Sequence, residues 1–273
     1  ASAVFHMAAQ VAVTTSLSDP ELDFDVNLRG TVFLLEALRR QSAPPPLIFA
    51  STNKVYGNLA DVALQRDGDA YLPEDHALRA HGIGEERPLS FYTPYGCSKG
   101  AADQYVLDYA RGFGVPACVL RMSCIYGPRQ LGTEDQGWLA HFLYSVQAGR
   151  PISIYGDGRQ VRDVLYVDDA VDAYTAAWDR IGQVSGQAFN LGGGPGNAVT
   201  LLEVLAEIGE ISGRQADLRF SDWRPGDQRY FVADTRRAAA AFDLGPAVAW
   251  TDGLRRLAHW IAAERGLVAD HAA

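Results

Sequence analysis

Tyr95 and Lys99 stand four residues apart in the stretch FYTPYGCSKGAADQYVLDYARGFG. In a helix that spacing brings their Cβ atoms to roughly 5–6 Å on one face, so an ammonium lies beside a phenol. A free tyrosine ionises near 10, and service as a base at neutral pH requires a fall of about 3 units. A neighbouring cation acts in that direction. Tyr-x-x-x-Lys also arises by chance on helices without a catalytic role, so the pair gains meaning only from what the fold brings to it.

The elements that must position the pair are legible on both sides of it. AVFHMAA, residues 3–9, is an apolar run of strand length and reads as a buried parallel strand. Ser18-Asp19-Pro20 supplies a cap and a first-turn proline, and Val26, Thr31, Leu34, Leu35 and Leu38 recur at helical spacing, so one helix is expected after the first strand. LIFAS, residues 47–51, is a second short apolar run. A polar stretch from Asn58 to Pro88 then leads towards Tyr95, and a loop of that length is usually functional or a lid. The Tyr95 helix should run to about Gly112, and ACVLRM, residues 117–122, reads as a third buried strand. This alternation predicts an α/β fold with a partial doubly wound, Rossmann-type parallel sheet.

Beyond Met122 the pattern changes to a loop, a helix from about Gly137, the strand PISIYG, a Gly-Asp-Gly turn and VRDVLYV. A smaller α/β substrate-binding lobe is expected, interleaved with the first. Residues 1–121 and about 164–192 fall in the Rossmann portion, and about 122–163 and 193–273 in the substrate lobe. Asp168 and Asp169 begin a helix whose dipole they complement. AFNLGG is a further strand, Thr200 to Glu203 forms a capping-box pattern, and Leu254, Leu257 and Ile261 share one face of a last helix, Thr251 to Gly266.

Composition narrows the partners. The chain has 273 residues, 48% hydrophobic, which suffices for a sizeable core. A net charge of −9 with dispersed arginines argues against a nucleic-acid or anionic-membrane surface. Cys97, Cys118 and Cys124 are odd in number and lack metal spacing, which fits a reducing, cytoplasmic setting. His6, His76, His81, His141, His259 and His271 show no metal spacing either.

A doubly wound sheet binds ligands beyond the carboxyl ends of its strands. The three apolar runs end in Ala8-Ala9-Gln10, in Ser51-Thr52-Asn53-Lys54-Val55-Tyr56-Gly57, and in Met122-Ser123-Cys124. Together STNKVYG, YTPYGCSKGAADQYVLDYARGFG, YGPRQLGTEDQGW and GDGRQVRDVLYVDD resemble the extended short-chain dehydrogenase/reductase family of nucleotide-sugar epimerases and dehydratases. The resemblance runs from His6 to about Ile261 and is strongest to the CDP-paratose 2-epimerase (CDP-tyvelose epimerase) branch.

That resemblance implies NAD as cofactor, a CDP-sugar as substrate and a homo-oligomer. It makes Tyr95 the base, Lys99 the lysine that holds the nicotinamide ribose and lowers the tyrosine's pKa, and Thr52 the partner of the reacting hydroxyl. It places Ala8, Ala9, Gln10, Asn27, Ser51 and Met122 with Tyr95 and Lys99 along the NAD site. It places Asn53, Lys54, Ser123, Cys124, Gln136, Arg162, Arg224 and Asp227 with Thr52 along the sugar nucleotide. Arginine forks suit a diphosphate through bidentate charged hydrogen bonds. The implied reaction is transient oxidation at C2 and return of hydride to the other face, because a C–H bond with no adjacent carbonyl is not acidic. The cofactor carries the redox step, and proton transfer at Tyr95 contributes about 10²–10⁴-fold.

Other readings stay open: a 4-epimerase or dehydratase of the same family, or a catalytically silent binding relative. Family dehydratases carry an Asp-Glu pair after the threonine, where this chain has Asn53 and Lys54, and 4-epimerases commonly have an asparagine where it has Cys124. Intact Thr52, Tyr95 and Lys99 argue against a silent relative. Family members open with a strand, a Gly-x-x-Gly-x-x-Gly turn and a helix that hold the cofactor pyrophosphate. This sequence does not contain that unit, so it is expected to be an N-terminally truncated fragment that binds NAD weakly on its own.

Overall fold

A computed structural model describes the backbone of residues 1–270 and the side chains of residues 1–264; His271 lies outside the described residues. The chain opens with β1 (Val4–His6), passes through α1 (Val13–Ser18), α2 (Pro20–Phe24), a π-helical turn at Asp25–Arg29 and α3 (Gly30–Arg39), and returns as β2 (Leu47–Thr52). The single helix expected after β1 is thus several segments. The break falls at Asp19-Pro20, where the Asp19 carboxylate accepts the Leu22 N–H and the proline occupies a first-turn position that needs no donor.

β1 is parallel to β2, in register Val4↔Leu47, but it is not the buried strand expected of AVFHMAA. It pairs on one side only, and Phe5 remains 41% exposed, whereas β2 is paired on both sides and buried throughout. The stretch Asn58 to Pro88 is also more ordered than expected. It holds an antiparallel hairpin, β3 (Leu64–Asp67) and β4 (Ala70–Pro73), and the short helix α4 (His76–His81). Gly68, at φ 57, turns the hairpin; β3 exposes Gln65, Arg66 and Asp67, so no hydrophobic alternation announces it.

Next come α5 (Thr93–Gly112), β5 (Ala117–Met122), β6 (Cys124–Tyr126), α6 (Trp138–Gln147), β7 (Ile152–Tyr155) and β8 (Val161–Tyr166). α7 (Val167–Asp179), α8 (Ile181–Val184) and β9 (Gln187–Leu191) complete a parallel sheet of order β1-β2-β5-β9. The remainder is β10 (Ala198–Thr200), α9 (Leu201–Ser212), β11 (Leu218–Ser221), β12 (Tyr230–Phe231), α10 (Arg236–Phe242) and α11 (Trp250–Asp270). β8 is the hub of the second sheet, parallel to β6 and β12 and antiparallel to β10, while β7 pairs with β11. The Thr200–Glu203 capping box is present and opens α9.

Apolar burial joins these layers. Leu35, Leu38, Val106 and Val119 fill the side of the first sheet covered by α3 and α5; Ile48, Leu120, Ala173, Phe189 and Phe242 fill the side covered by α7 and α10. Phe142, Leu143, Ile154, Val204, Leu257 and Ile261 form the core of the second lobe. No described helix is long and apolar enough to cross a membrane.

Two glycines set how closely the site-bearing elements meet. A Cβ on Gly96 would lie 3.2 Å from the Lys54 carbonyl oxygen, so the first turn of α5 packs directly on the turn after β2. Gly57 ends that turn at φ 75, where a Cβ would lie 2.2 Å from the Ser90 carbonyl oxygen. Gly68 shares a positive φ but has open space around it. Gly68→Ala should therefore incur only backbone strain, about 1–3 kcal/mol, and Gly57→Ala strain plus a collision. Urea denaturation should show Gly57→Ala to be the less stable of the two; equal stability would contradict this packing.

Candidate active site

The site forms where the carboxyl end of β2 meets the first turn of α5. Thr52 is the last residue of β2, and its Oγ1 accepts the Lys54 N–H at 3.3 Å. The Thr52 side chain also favours the ionised form of the Tyr95 phenol. Both side chains line one cavity. Pro94 lies in the first turn of α5 and Gly96 permits the approach, which together bring Tyr95 over the strand end.

Tyr95 and Lys99 are both buried on α5. The Lys99 Nζ donates to the Ala50 carbonyl of β2 at 2.6 Å and lies 4.3 Å from the centre of the Phe49 ring. Burial pushes the Tyr95 phenol up to about 12; the Thr52 hydrogen bond opposes this and the Asp23 carboxylate adds to it. Burial pulls the Lys99 ammonium down to about 8, against the Asp103 and Asp23 charges. The expectation that Lys99 lowers the tyrosine's pKa is therefore not met by the protein alone. The ammonium is held by the β2 carbonyl, and loss of water around the phenol sets the direction of its shift.

Asp23 did not figure in the sequence reading. Its buried carboxylate accepts from Gln10 Nε2 at 2.8 Å, from Asn27 Nδ2 at 3.0 Å and from the Ser98 hydroxyl. Asn27 Oδ1 also accepts the Gln10 N–H at 2.9 Å, and its Nδ2 donates to the Gln10 carbonyl at 2.9 Å. This network fastens the loop after β1 to α5 between Tyr95 and Lys99. The i, i+4 pair Asp23 and Asn27 on a short capped helix was the available signal. Arg121, paired through two nitrogens with Asp103 at 3.0 and 3.1 Å, was missed as well; it braces β5 against α5.

The residues expected along the cofactor divide into two groups. Asn27 and Ser51 are buried and direct their polar atoms inward, Ser51 to Asp103 at 2.8 Å. Met122 accepts the Tyr174 hydroxyl on its sulfur at 3.0 Å. Ala8 and Ala9 present only methyl groups at the end of β1. None of Ala8, Ala9, Gln10, Asn27 and Lys99 lines the main cavity, whereas Ser51, Tyr95 and Met122 do, together with Val11 and Thr14 from the segment after β1.

That cavity, about 390 Å³, runs between the two lobes. Thr52, Asn53, Lys54 and Tyr95 line it from the first, and Ser123, Cys124, Gln136, Arg162, Arg224 and Asp227 from the second. Arg162 donates to Asp227 at 2.5 Å, and Arg224 lies 3.8 Å from the Tyr155 ring centre and 3.3 Å from Asp135. Trp138 Nε1 reaches the Cys124 sulfur at 3.4 Å, and burial pushes that thiol's pKa up. The Ser123 hydroxyl is turned to Asp163. Lys54 Nζ donates to Gln228 Oε1 at 3.1 Å, and Gln228 is fixed by donating to the Gly57 carbonyl at 2.6 Å. The sequence reading thus brought together one cavity from segments up to 175 positions apart, Thr52 to Asp227.

Residues 1–192 match the NAD dependent epimerase/dehydratase family. A CDP-paratose 2-epimerase of Salmonella typhi is 41% identical over 263 residues, covering 94% of this chain and 76% of the relative. A UDP-glucose 4-epimerase of Mycolicibacterium smegmatis is 31% identical, covering 93% and 74%. Among solved structures, UDP-glucuronic acid 4-epimerase from Bacillus cereus, in complex with UDP-glucuronic acid and NAD, superposes with a TM-score of 0.80 at 27% identity, covering 96% of this chain and 76% of that one.

A phenol at about 12 is neutral in the ligand-free protein across the physiological range. The alkaline absorbance difference between the wild type and Tyr95→Phe should therefore show no tyrosinate from Tyr95 at pH 10. A full tyrosinate step at or below pH 10 would show that the protein alone depresses this phenol.

Proposed function

The chain belongs to the NAD-dependent epimerase/dehydratase family, and within it we propose that it inverts C2 of CDP-paratose through transient oxidation to a 2-keto sugar. The observation that carries this reading is that Thr52 and Tyr95 line the same cavity as Arg162 and Arg224. One end of that cavity moves a proton, and the other suits a diphosphate. Preference for the 2-epimerase over the 4-epimerases rests on the 41% likeness to the CDP-paratose enzyme against 31% for the UDP-glucose enzyme.

The donor set fits the family's cofactor. An ammonium has three N–H donors; Lys99 uses one on Ala50, and the two methyl side chains of Ala8 and Ala9 leave the end of β1 open. Lys99, Tyr95, Ala8 and Ala9 would hold NAD, with Gln10 and Asn27 bracing the loop. NAD, when bound, accepts a hydride from the substrate and returns it.

The protein's own share is proton transfer and placement. Tyr95 Oη takes the hydroxyl proton of the reacting carbon on oxidation and gives it back on reduction. Thr52, aimed by the Lys54 N–H, donates to that oxygen and stabilises negative charge on it as the proton leaves. Burial keeps Tyr95 neutral in the ligand-free protein, so it accepts a proton only after it has given up its own, and the positive charge of an oxidised nicotinamide held beside it would favour that phenolate. Elimination requires a carboxyl pair beside Thr52, and Asn53 and Lys54 stand there instead, so a dehydratase is disfavoured. Asp227 is paired with Arg162.

In the protein supplied with NAD, Tyr95→Phe should lower epimerisation by at least about 10²-fold, the contribution of a positioned acid–base group. Its affinity for CDP by calorimetry should stay within about twofold of wild type. Turnover near the wild-type rate would remove Tyr95 from the role of base.

A further inference from the structure

Lys54 and Lys99 are the only two lysines of the sequence, against twenty-two arginines. Both are built into this site. Lys99 has a place in the reaction above, whereas Lys54 has none beyond the turn its backbone makes. Three cations line the cavity: Lys54, Arg162 and Arg224. Arg162 is paired with Asp227, and Arg224 with Glu134 and Asp135. Lys54 alone has no carboxylate within ion-pair distance among the described residues. Its partner is a neutral amide oxygen, that of Gln228, which is itself buried and locked to Gly57.

We propose that Lys54 anchors the phosphate that joins the sugar, and that this hold, beside Thr52 and Tyr95, selects C2 rather than C4 as the reacting carbon. The proposal rests on the epimerase reading and deepens it. A desolvated cation without a counter-ion is costly, and an entering anion offsets that cost. Two ammonium donors remain after Gln228, enough for phosphate oxygens. The side chain starts at the reacting end, because its own N–H holds Thr52 and Thr52 holds Tyr95. In a nucleoside diphosphate sugar C2 adjoins the anomeric carbon that bears the phosphate, whereas C4 lies across the ring. A phosphate fixed next to the base therefore brings C2 to it. Arg162 and Arg224, farther along the chain and already paired, are left for the remainder of the diphosphate.

Lys54 is pulled down to about 8 by burial and by Arg162, while Asp227 and Cys124 act the other way. A bound phosphate should raise it. Because the chain has two lysines, protein labelled with [ε-¹³C]lysine gives two titrating signals, assigned by Lys54→Met. Saturating CDP should move the Lys54 midpoint up by about 1 unit or more, and CMP, which lacks the second phosphate, should move it less. An unmoved midpoint with CDP bound overturns the phosphate contact while leaving the epimerase reading intact; failure of the wild type to bind CDP at all by calorimetry sinks that reading itself. Lys54→Met should weaken CDP about tenfold or more, leave CMP within about twofold, and admit C4 inversion in a CDP-hexose with hydroxyls at both carbons, followed by NMR. Lys54→Arg should keep most of the CDP affinity. Undiminished C2 selectivity in Lys54→Met overturns the selection of the reacting carbon.

Discussion

The contact on which the site depends is the one between Thr52 and Tyr95. It joins the end of β2 to the start of α5, elements that carry the two halves of one proton-transfer pair. The contact needs three local features: a strand buried on both sides so that its end is fixed, a proline in the first turn of the helix, and a glycine two residues later whose missing side chain lets the helix meet the Lys54 carbonyl. Each is inexpensive in sequence, and a Cβ at Gly96 would lie only 3.2 Å from the Lys54 carbonyl oxygen. Around this junction Asp23, Asn27 and Gln10 tie in the loop after β1, and Arg121 with Asp103 ties in β5.

Burial governs the electrostatics of the site as much as charge pairing does. The phenol is held up near 12, and both lysines are held down near 8. Each is kept closer to its neutral form than it would be in water. The arginines behave differently because a guanidinium stays charged under the same burial. The division of labour follows: arginine where a permanent cation must meet a carboxylate or a phosphate, lysine where a compact charge responds to what binds.

Much of this was legible in the chain itself. The apolar runs at 47–51 and 117–122 became the central strands, and the tyrosine and lysine at helical spacing became neighbours on α5, because buried parallel strands and helix periodicity leave strong patterns. β1 was less buried than its composition suggests, since exposure of an edge depends on neighbours and not on the residues of the strand. The first strand of the hairpin before α4 was silent because most of its side chains face solvent. The sequence placed the candidate site residues at strand ends but said nothing of which polar atoms were already engaged. Asn27 bonds Asp23, Ser51 bonds Asp103 and Lys99 bonds the Ala50 carbonyl, pairings that the sequence does not announce. Asp23 escaped notice because a lone acidic residue near a helix start has many ordinary explanations.

Two chemically distinct routes would invert a sugar carbon: removal and return of hydride within the site, or loss of a proton to solvent and its replacement. A C–H bond with no adjacent carbonyl is not acidic, which favours the first. The decisive measurement is NMR of CDP-paratose turned over by the protein with NAD in deuterated water. Inversion at C2 with protium retained at that carbon is the result expected; deuterium at C2 would contradict the account.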